Sequence, residues 1–195
     1  MKYLAISCLL AAGALIITGI GAVAKRSGPA AHTTQDLVGK KFPILKGKAL
    51  NGDEVEFPKV TKGKVALLSI AFIQSSQSKI DSWTTPLEGT GKLLSTTPGL
   101  EYYEIPLMPS HNSFVRFMAN NGMRSGIPKA KHSHVVCYYG DQKPYFKALG
   151  STQKTDAFFL VLDKEGIVRY KQEGFATLQN LAAVKGLVVD LLKQE

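Results

Sequence analysis

The sequence predicts a mixed α/β domain behind an N-terminal apolar segment, and three observations carry that expectation. Val65–Ile73 (VALLSIAFI) is an almost continuous apolar run, as expected of a strand buried on both faces in a mostly parallel sheet. Two turn signals, Asn51-Gly52 and Lys164-Glu165-Gly166, each separate short extended stretches, the pattern of hairpins. Residues 177–193 close the chain with apolar side chains at helical spacing.

In chain order, residues 45–57 read as a hairpin about Asn51-Gly52, and 65–73 as the first long strand. Residues 79–95 read as a short or broken helix, because Pro86 removes a backbone donor and Gly89 and Gly91 mark a turn. Leu100–Pro106 is a second strand. Across His111–Arg124, Phe114, Phe117 and Met118 share one helical face, with Ser110 or Asn112 as cap, and are expected in the core. Val135–Tyr139, Ala157–Asp163 and Ile167–Lys171 are further strands. In the last helix Thr177 is the expected cap, and Leu178, Leu181, Ala182, Leu187, Val188, Leu191 and Leu192 form the face toward the sheet.

From Tyr3 to Ala24 there are 22 residues without a charge, between Lys2 and Lys25-Arg26. As a helix they span about 33 Å, enough to cross a hydrocarbon core of about 30 Å. The run exceeds the usual apolar region of a signal peptide, which favours an uncleaved anchor, although Ala22-Val23-Ala24 also fits a cleavage site. Cys8 sits too early in the run for lipid attachment and reads as a small membrane-facing residue. The basic residues that follow argue for a cytoplasmic domain, whereas the signal-like pattern argues for export, and export is preferred. The organisation is then 1–24 signal anchor or signal peptide, 25–36 a polar linker (KRSGPAAHTTQD), and 37–195 one domain.

Composition excludes several functions. With 45% hydrophobic and 20% charged residues the chain of 195 residues is globular. Its two cysteines, Cys8 and Cys137, cannot form a disulfide framework, a four-thiolate zinc site or a Cys-x-x-Cys pair. The net charge of +9 is scattered, without a basic helix or an aromatic-basic alternation, so nucleic acid is not an expected partner. It suits an anionic membrane surface or an acidic partner instead. Asp81, Glu88, Glu101 and Glu104 lack the spacing of a paired-carboxylate site, and Glu88-Gly89-Thr90-Gly91-Lys92 lacks that of a phosphate loop. No cofactor is expected. Arg124, Lys129 and Lys131 around Ile127-Pro128 form a basic loop that would face solvent, a partner or lipid headgroups.

The opening Val38-Gly39-Lys40-Lys41-Phe42-Pro43 through the hairpin to Gly63–Phe72 resembles thioredoxin-like proteins of the redoxin type, as does the closing half from Ala157. Within that superfamily the pattern is most similar to the ATP synthase assembly factor family, the mitochondrial ATPase-complex factors and their relatives. The matching stretches are Phe72–Trp83 with Thr84-Thr85-Pro86, then Ile127-Pro128, His132 and Tyr138-Tyr139-Gly140, then Tyr145-Phe146 and Leu149-Gly150. Phe159–Asp163, Gly166-Ile167 and Gly174-Phe175-Ala176-Thr177 complete the series. Their order along residues 38–195 carries the resemblance. It implies a thioredoxin-like mixed sheet with flanking helices, and a chaperone-like role toward the membrane sector of ATP synthase. A mitochondrial presequence would be amphipathic and rich in Arg and Ser, so the uniformly apolar N-terminus favours an exported domain of a bacterial-type envelope protein over the mitochondrial inner membrane.

Redox members of that superfamily carry Cys-x-x-Cys after the first long strand, where a helix N-terminus stabilises the thiolate. Here the turn reads Gln74-Ser75-Ser76-Gln77-Ser78-Lys79. The cis-proline that redox members place before the strand at Ala157 is also replaced, by Ser151–Asp156. The expectation is a non-catalytic, membrane-anchored protein that grips a protein client on the remnant of the active-site face, at Ser75, Ser76, Ser78, Lys79 and Thr155. A thiol oxidoreductase or peroxidase is one alternative. A metal chaperone is another: on a strand His132 and His134 would share a face, and a bend would have to bring Cys137 beside them to hold copper or zinc.

Overall fold

The structure, a computed structural model, describes residues 37–89, 93–109 and 112–194. The apolar segment 3–24 with Cys8, the linker 25–36, and Gly91 and Ser110 lie outside the described residues. Among the described residues no helix is long and apolar enough to cross a membrane.

The Asn51-Gly52 hairpin joins β1 (Leu45–Ala49) to β2 (Glu54–Phe57), and β3 (Val65–Ala71) follows. After it come α1 (Gln77–Glu88), α2 (Leu93–Thr96), β4 (Leu100–Met108), α3 (Ser113–Gly126) and β5 (Val136–Tyr139). The chain ends with α4 (Lys143–Leu149), β6 (Ala157–Leu162), β7 (Val168–Glu173) and α5 (Leu178–Lys193). One seven-stranded sheet runs β2-β1-β5-β4-β3-β6-β7. Only the β3–β4 and β4–β5 pairs are parallel. The β1–β2, β1–β5, β3–β6 and β6–β7 pairs are antiparallel, so the sheet is mixed rather than mostly parallel.

Strand β3 explains its own sequence. Its side chains alternate between two cores. Ala66, Leu68 and Ile70 pack with Phe42, Leu45, Phe57 and Tyr103, while Val65 and Leu67 pack with Trp83, Phe159, Val184 and Val188. From Val65 to Ile70 every residue is buried, and a nearly continuous apolar run is the result. Trp83 anchors the second core, stacked on Phe159 at 4.4 Å and donating its indole N–H to the Gly174 carbonyl at 2.9 Å. At the sheet's other side Gly47 lets β1 and β5 approach closely. A Cβ there would stand 2.7 Å from Val136 Cγ1 and 2.9 Å from the Cys137 carbonyl oxygen.

Three helices differ from expectation. Helix α1 does end at Glu88, with α2 separate from it, but the end is not at the proline: Pro86 lies inside α1, where it lacks a backbone donor, and Gly89 N–H closes the helix on the Thr85 carbonyl at 2.9 Å. Asn112 caps α3, its side chain accepting from Val115 N–H at 2.9 Å, but the helix buries no residue. Phe114, Phe117 and Met118 are 69, 58 and 57% exposed. Helical spacing shows that the three share a stripe; it does not say which way the stripe turns. In α5 Thr177 caps as expected, accepting from Asn180 N–H. The buried stripe is Leu181, Val184, Val188 and Leu191, whereas Leu178 is 83% exposed and Ala182 is also exposed.

This division gives a test. Trp83→Ala is expected to cost about 3–5 kcal/mol of unfolding free energy, whereas Phe114→Ala is expected within about 0.5 kcal/mol of the parent. Urea denaturation checks both, and equal losses would mean that α3 packs its aromatic stripe inward.

Candidate functional site

The register of β3 against β6 pairs Ala71 with Ala157, so the segments just beyond them, 74–79 and 151–156, meet at one end of the sheet. The first enters α1 through a 3₁₀ turn, Gln74–Ser76. Ser76 is buried, and its hydroxyl donates to the Thr155 carbonyl at 3.0 Å. The Lys79 ammonium donates to the same oxygen at 2.7 Å. Of the five residues expected at the partner-binding face, Ser76, Lys79 and Thr155 are thus tied to one another. Ser75 and Ser78 are exposed beside them. No cis peptide precedes β6; among the described residues the cis bond is Phe57–Pro58.

The second segment is held by a carboxylate that sequence reasoning missed. Asp156 Oδ2 accepts from the Ser151 hydroxyl at 2.7 Å and from the N–H groups of Thr152 and Gln153, each at 3.0 Å. Burial pushes the Asp156 carboxyl upward, but these bonds and a hydrogen bond with Glu173 outweigh it and hold it below its usual range. Glu173 moves the other way, raised by burial and then by the Asp156 charge. The signal was an Asp three to five residues after Ser and backbone donors, the pattern of a local side-chain turn.

Between α1 and α3, over β4, lies a cleft of about 810 Å³. Gln74 and Gln77 of the turn line it, with Met108, Met118, Met123 and Ile127. Ser69 and Glu104 also line it. Tyr102, adjacent in sequence parity to Glu104, donates its phenol proton to Glu104 Oε1 at 3.0 Å. Ser69 lies close enough to favour the Tyr102 phenolate, but its buried hydroxyl makes no hydrogen bond of normal geometry among the described residues. Burial raises the Glu104 carboxyl, against the Tyr102 and Gln77 hydrogen bonds and the Lys131 charge. Burial also raises the Tyr102 phenol, with the Glu104 charge adding to it. Alternation on a strand places Tyr102 and Glu104 on one face, a signal available in the sequence.

The His132, His134 and Cys137 alternative meets a different geometry. Both histidines lie in a 3₁₀ segment, Lys129–His134, rather than a strand. His132 Nε2 sits 2.9 Å from the Ile127 carbonyl, whereas His134 Nδ1 is 3.0 Å from the Ser133 hydroxyl and its Nε2 3.5 Å from Glu101. Cys137 packs with Leu50 and Val135. Among the described residues no three His, Cys, Asp or Glu side chains are grouped to hold a metal ion. Burial pushes the Cys137 thiol up to about 12, against a small pull from Arg124, which leaves it a poor nucleophile at neutral pH. The basic residues expected in a loop are helical instead: Arg124 is in the last turn of α3, where its Nε donates to the Leu50 carbonyl at 2.7 Å, and Lys129 and Lys131 are in the 3₁₀ segment, with Lys131 paired to Glu88 at 2.6 Å.

Comparisons with known proteins agree with this frame. A family model described as "ATP10 protein" matches residues 34–190. The thioredoxin domain of a thiol-disulfide oxidoreductase from Bacteroides vulgatus superposes with a TM-score of 0.53 at 18% identity, covering 77% of this chain and 97% of that one. BsSco, a member of the Sco family of cytochrome c oxidase assembly proteins, gives 0.52 at 10% identity over 80% of this chain and 95% of that one. The reduced 2-Cys peroxiredoxin of Plasmodium vivax gives 0.50 at 16% identity, over 80% and 84% respectively. At such identities the likeness speaks to fold alone, which is thioredoxin-like. No curated protein matches the sequence.

The Asp156 contacts act on the ionised carboxylate, so their stabilisation is complete above the unfolded carboxyl value of about 4 and is lost as pH falls through the lower folded value. Asp156→Asn is therefore expected to cost about 1–2 kcal/mol at neutral pH. The gap to the parent should close on acidification, read by urea denaturation at a series of pH values. A gap that stays constant down to acid pH would remove the carboxylate from this role.

Proposed function

The chain belongs to the ATP10 protein family, and on that premise we propose that it is a non-catalytic assembly factor that binds a protein client of a membrane complex, the membrane sector of ATP synthase. Residues 3–24 hold it to the membrane and the domain works on the exported side. The observation that carries the non-catalytic part is the sulfur-free turn, whose buried Ser76 hydroxyl is committed to the Thr155 carbonyl. A disulfide cycle needs two thiols, and the cysteine among the described residues, Cys137, is buried away from this turn.

The client meets the face that redox relatives use for substrate. Ser75 and Ser78 are its accessible residues, Lys79 lies between them and the second loop, and Gln74 and Gln77 lead into the cleft. Ser76 and Thr155 set the geometry of that face from beneath. Replacing Ser76 would therefore disturb the loop pairing as well as any contact.

A photoreactive residue at Ser75 or Ser78 of the full chain, in its native membrane, is expected to crosslink to a membrane-sector subunit. With the photoreactive residue moved to exposed Gln74, Ser75→Trp with Ser78→Trp should lower that yield about tenfold, the effect of losing about 1.4 kcal/mol of binding. Crosslinks to no subunit of a membrane complex, or yields indifferent to the tryptophans, would remove the client from this face. The purified protein is expected neither to reduce insulin disulfides nor to consume peroxide. Turnover that vanishes in Cys137→Ser would restore the oxidoreductase alternative.

A further inference from the structure

Helix α3 buries no residue, and beside it, over β4, lies the cleft of about 810 Å³. Ligand sites run from about 300 to 1,000 Å³ and are apolar with a few placed polar groups. This cleft has that make-up. Its α3 wall shows Ala119, Gly122, Met123 and Gly126, with Met118 at the rim, one face of the helix. A Cβ added at Gly122 or Gly126 would meet no atom within 4 Å among the described residues. Packing inside this chain therefore does not call for glycine at either position, and glycine weakens a helix relative to alanine. What the two glycines do is leave bare backbone on the wall of the cleft. Gly-x-x-x-Gly is the spacing at which a second, apolar helix comes close.

A second observation, independent of the helix, lies on the floor. Ser69 and Glu104 are register partners on β3 and β4, and both line the cleft. Ser69 is 1% exposed, and its hydroxyl makes no hydrogen bond of normal geometry among the described residues. A buried hydroxyl in that state is destabilising unless an occupant supplies its partner. Glu104 is the acid among the lining residues. Tyr102 donates to its Oε1 at 3.0 Å, and Gln77 also bonds it. The charges that reach it are Asp81, which repels, and Lys131, which lines the cleft but holds Glu88 at 2.6 Å. Neutral donors and a cation committed elsewhere leave this carboxylate, among the described residues, without an ion partner of its own. A carboxylate so placed in an apolar cleft complements a cation.

From Met118 to Gly126 the wall runs about 12 Å, and from Glu104 to Met108 the floor runs about 13 Å, enough for about two turns of helix. We infer that the cleft receives an apolar helical segment of the protein client, which packs on Gly122 and Gly126 and carries one lysine or arginine to the Glu104 carboxylate and the Ser69 hydroxyl. This rests on the assembly reading and names the part of the client that the cleft takes. Gln74 and Gln77, which line the cleft, join it to the face at Ser75 and Ser78.

The test uses the purified full chain in dodecyl maltoside micelles. The probe is a dye-labelled, end-blocked Leu/Ala helix of about 14 residues with one central lysine, its binding read by fluorescence anisotropy. The lysine peptide is expected to bind about tenfold more tightly than the same peptide with norleucine, and a glutamate peptide more weakly than either. Glu104→Gln keeps an oxygen to accept the Tyr102 proton; it should erase the preference for lysine and leave the norleucine affinity in place. Gly122→Leu puts a side chain into open space at a helical position. Urea denaturation should therefore show no loss of stability in that variant, while both peptides lose about tenfold or more in affinity. Equal affinity for the lysine and norleucine peptides, or a lysine preference that survives Glu104→Gln, overturns the proposal. Binding indifferent to Gly122→Leu also overturns it, as partitioning into the micelle. Displacement of the peptide by dodecylammonium at equal concentration overturns it in favour of a small cationic amphiphile. The peptide assay contains no client subunit, whereas crosslinking at Ser75 and Ser78 reads the native client. Failure of either result therefore leaves the other standing.

Discussion

Strand β3 is hydrogen-bonded to β4 along one edge and to β6 along the other, and packed on both faces. A strand so enclosed cannot slip by one residue, since every side chain would change faces and enter the wrong core. Its register therefore propagates. Pairing of Ala71 with Ala157 brings the exit of β3 beside the entry of β6, and the segments beyond them have no choice but to meet. The Ser76 and Lys79 contacts with Thr155, 79 and 76 residues away in sequence, are consequences of that register.

This explains what could and could not be read from the residues alone. The buried strand, both hairpins and the last helix are written as local patterns: a solid apolar run, Asn-Gly and Lys-Glu-Gly turns, a capped amphipathic stretch. The sheet's mixed pairing is not local, because an apolar run reports burial on both faces and not the direction of its neighbours. The same limit applies to α3, where spacing groups Phe114, Phe117 and Met118 but the anchors that aim them outward come from Leu50 and Tyr139, on β1's turn and β5. Likewise α4 is seven residues long and carries Pro144 in its first turn, too short for periodicity to declare it. It still completes the first core through Tyr145 and Leu149.

The proposed partner-binding face rests on resemblance. Nothing about Gln74–Lys79 taken alone marks it as a site. Its meaning comes from lying where related folds keep two sulfurs, and the structure adds a distinction that resemblance could not supply between the serines that face solvent and the one that does not. The histidines show the opposite case: a tempting i, i+2 pattern dissolves once residues 129–134 form a 3₁₀ segment and each ring finds its own neighbour. The Tyr102–Glu104 pair followed the same i, i+2 rule on a real strand, and there the rule holds.

Replacing sulfur by oxygen at the turn changes more than redox potential. A catalytic thiolate has to stand free at the helix N-terminus, available to attack. The Ser76 hydroxyl instead points inward and spends its proton on Thr155, with Lys79 on the same carbonyl, so the group nearest the old chemistry has become a strut between two loops. A carbonyl that accepts two donors, one of them charged, ties the two segments more firmly than a single neutral bond would. The loops that a redox enzyme opens around a mixed disulfide are in this way drawn together, and the Asp156 carboxylate stiffens the second of them from within. Rigidity of that kind suits a surface that recognises a folded shape or a helix face, because less conformational freedom is lost when the partner arrives.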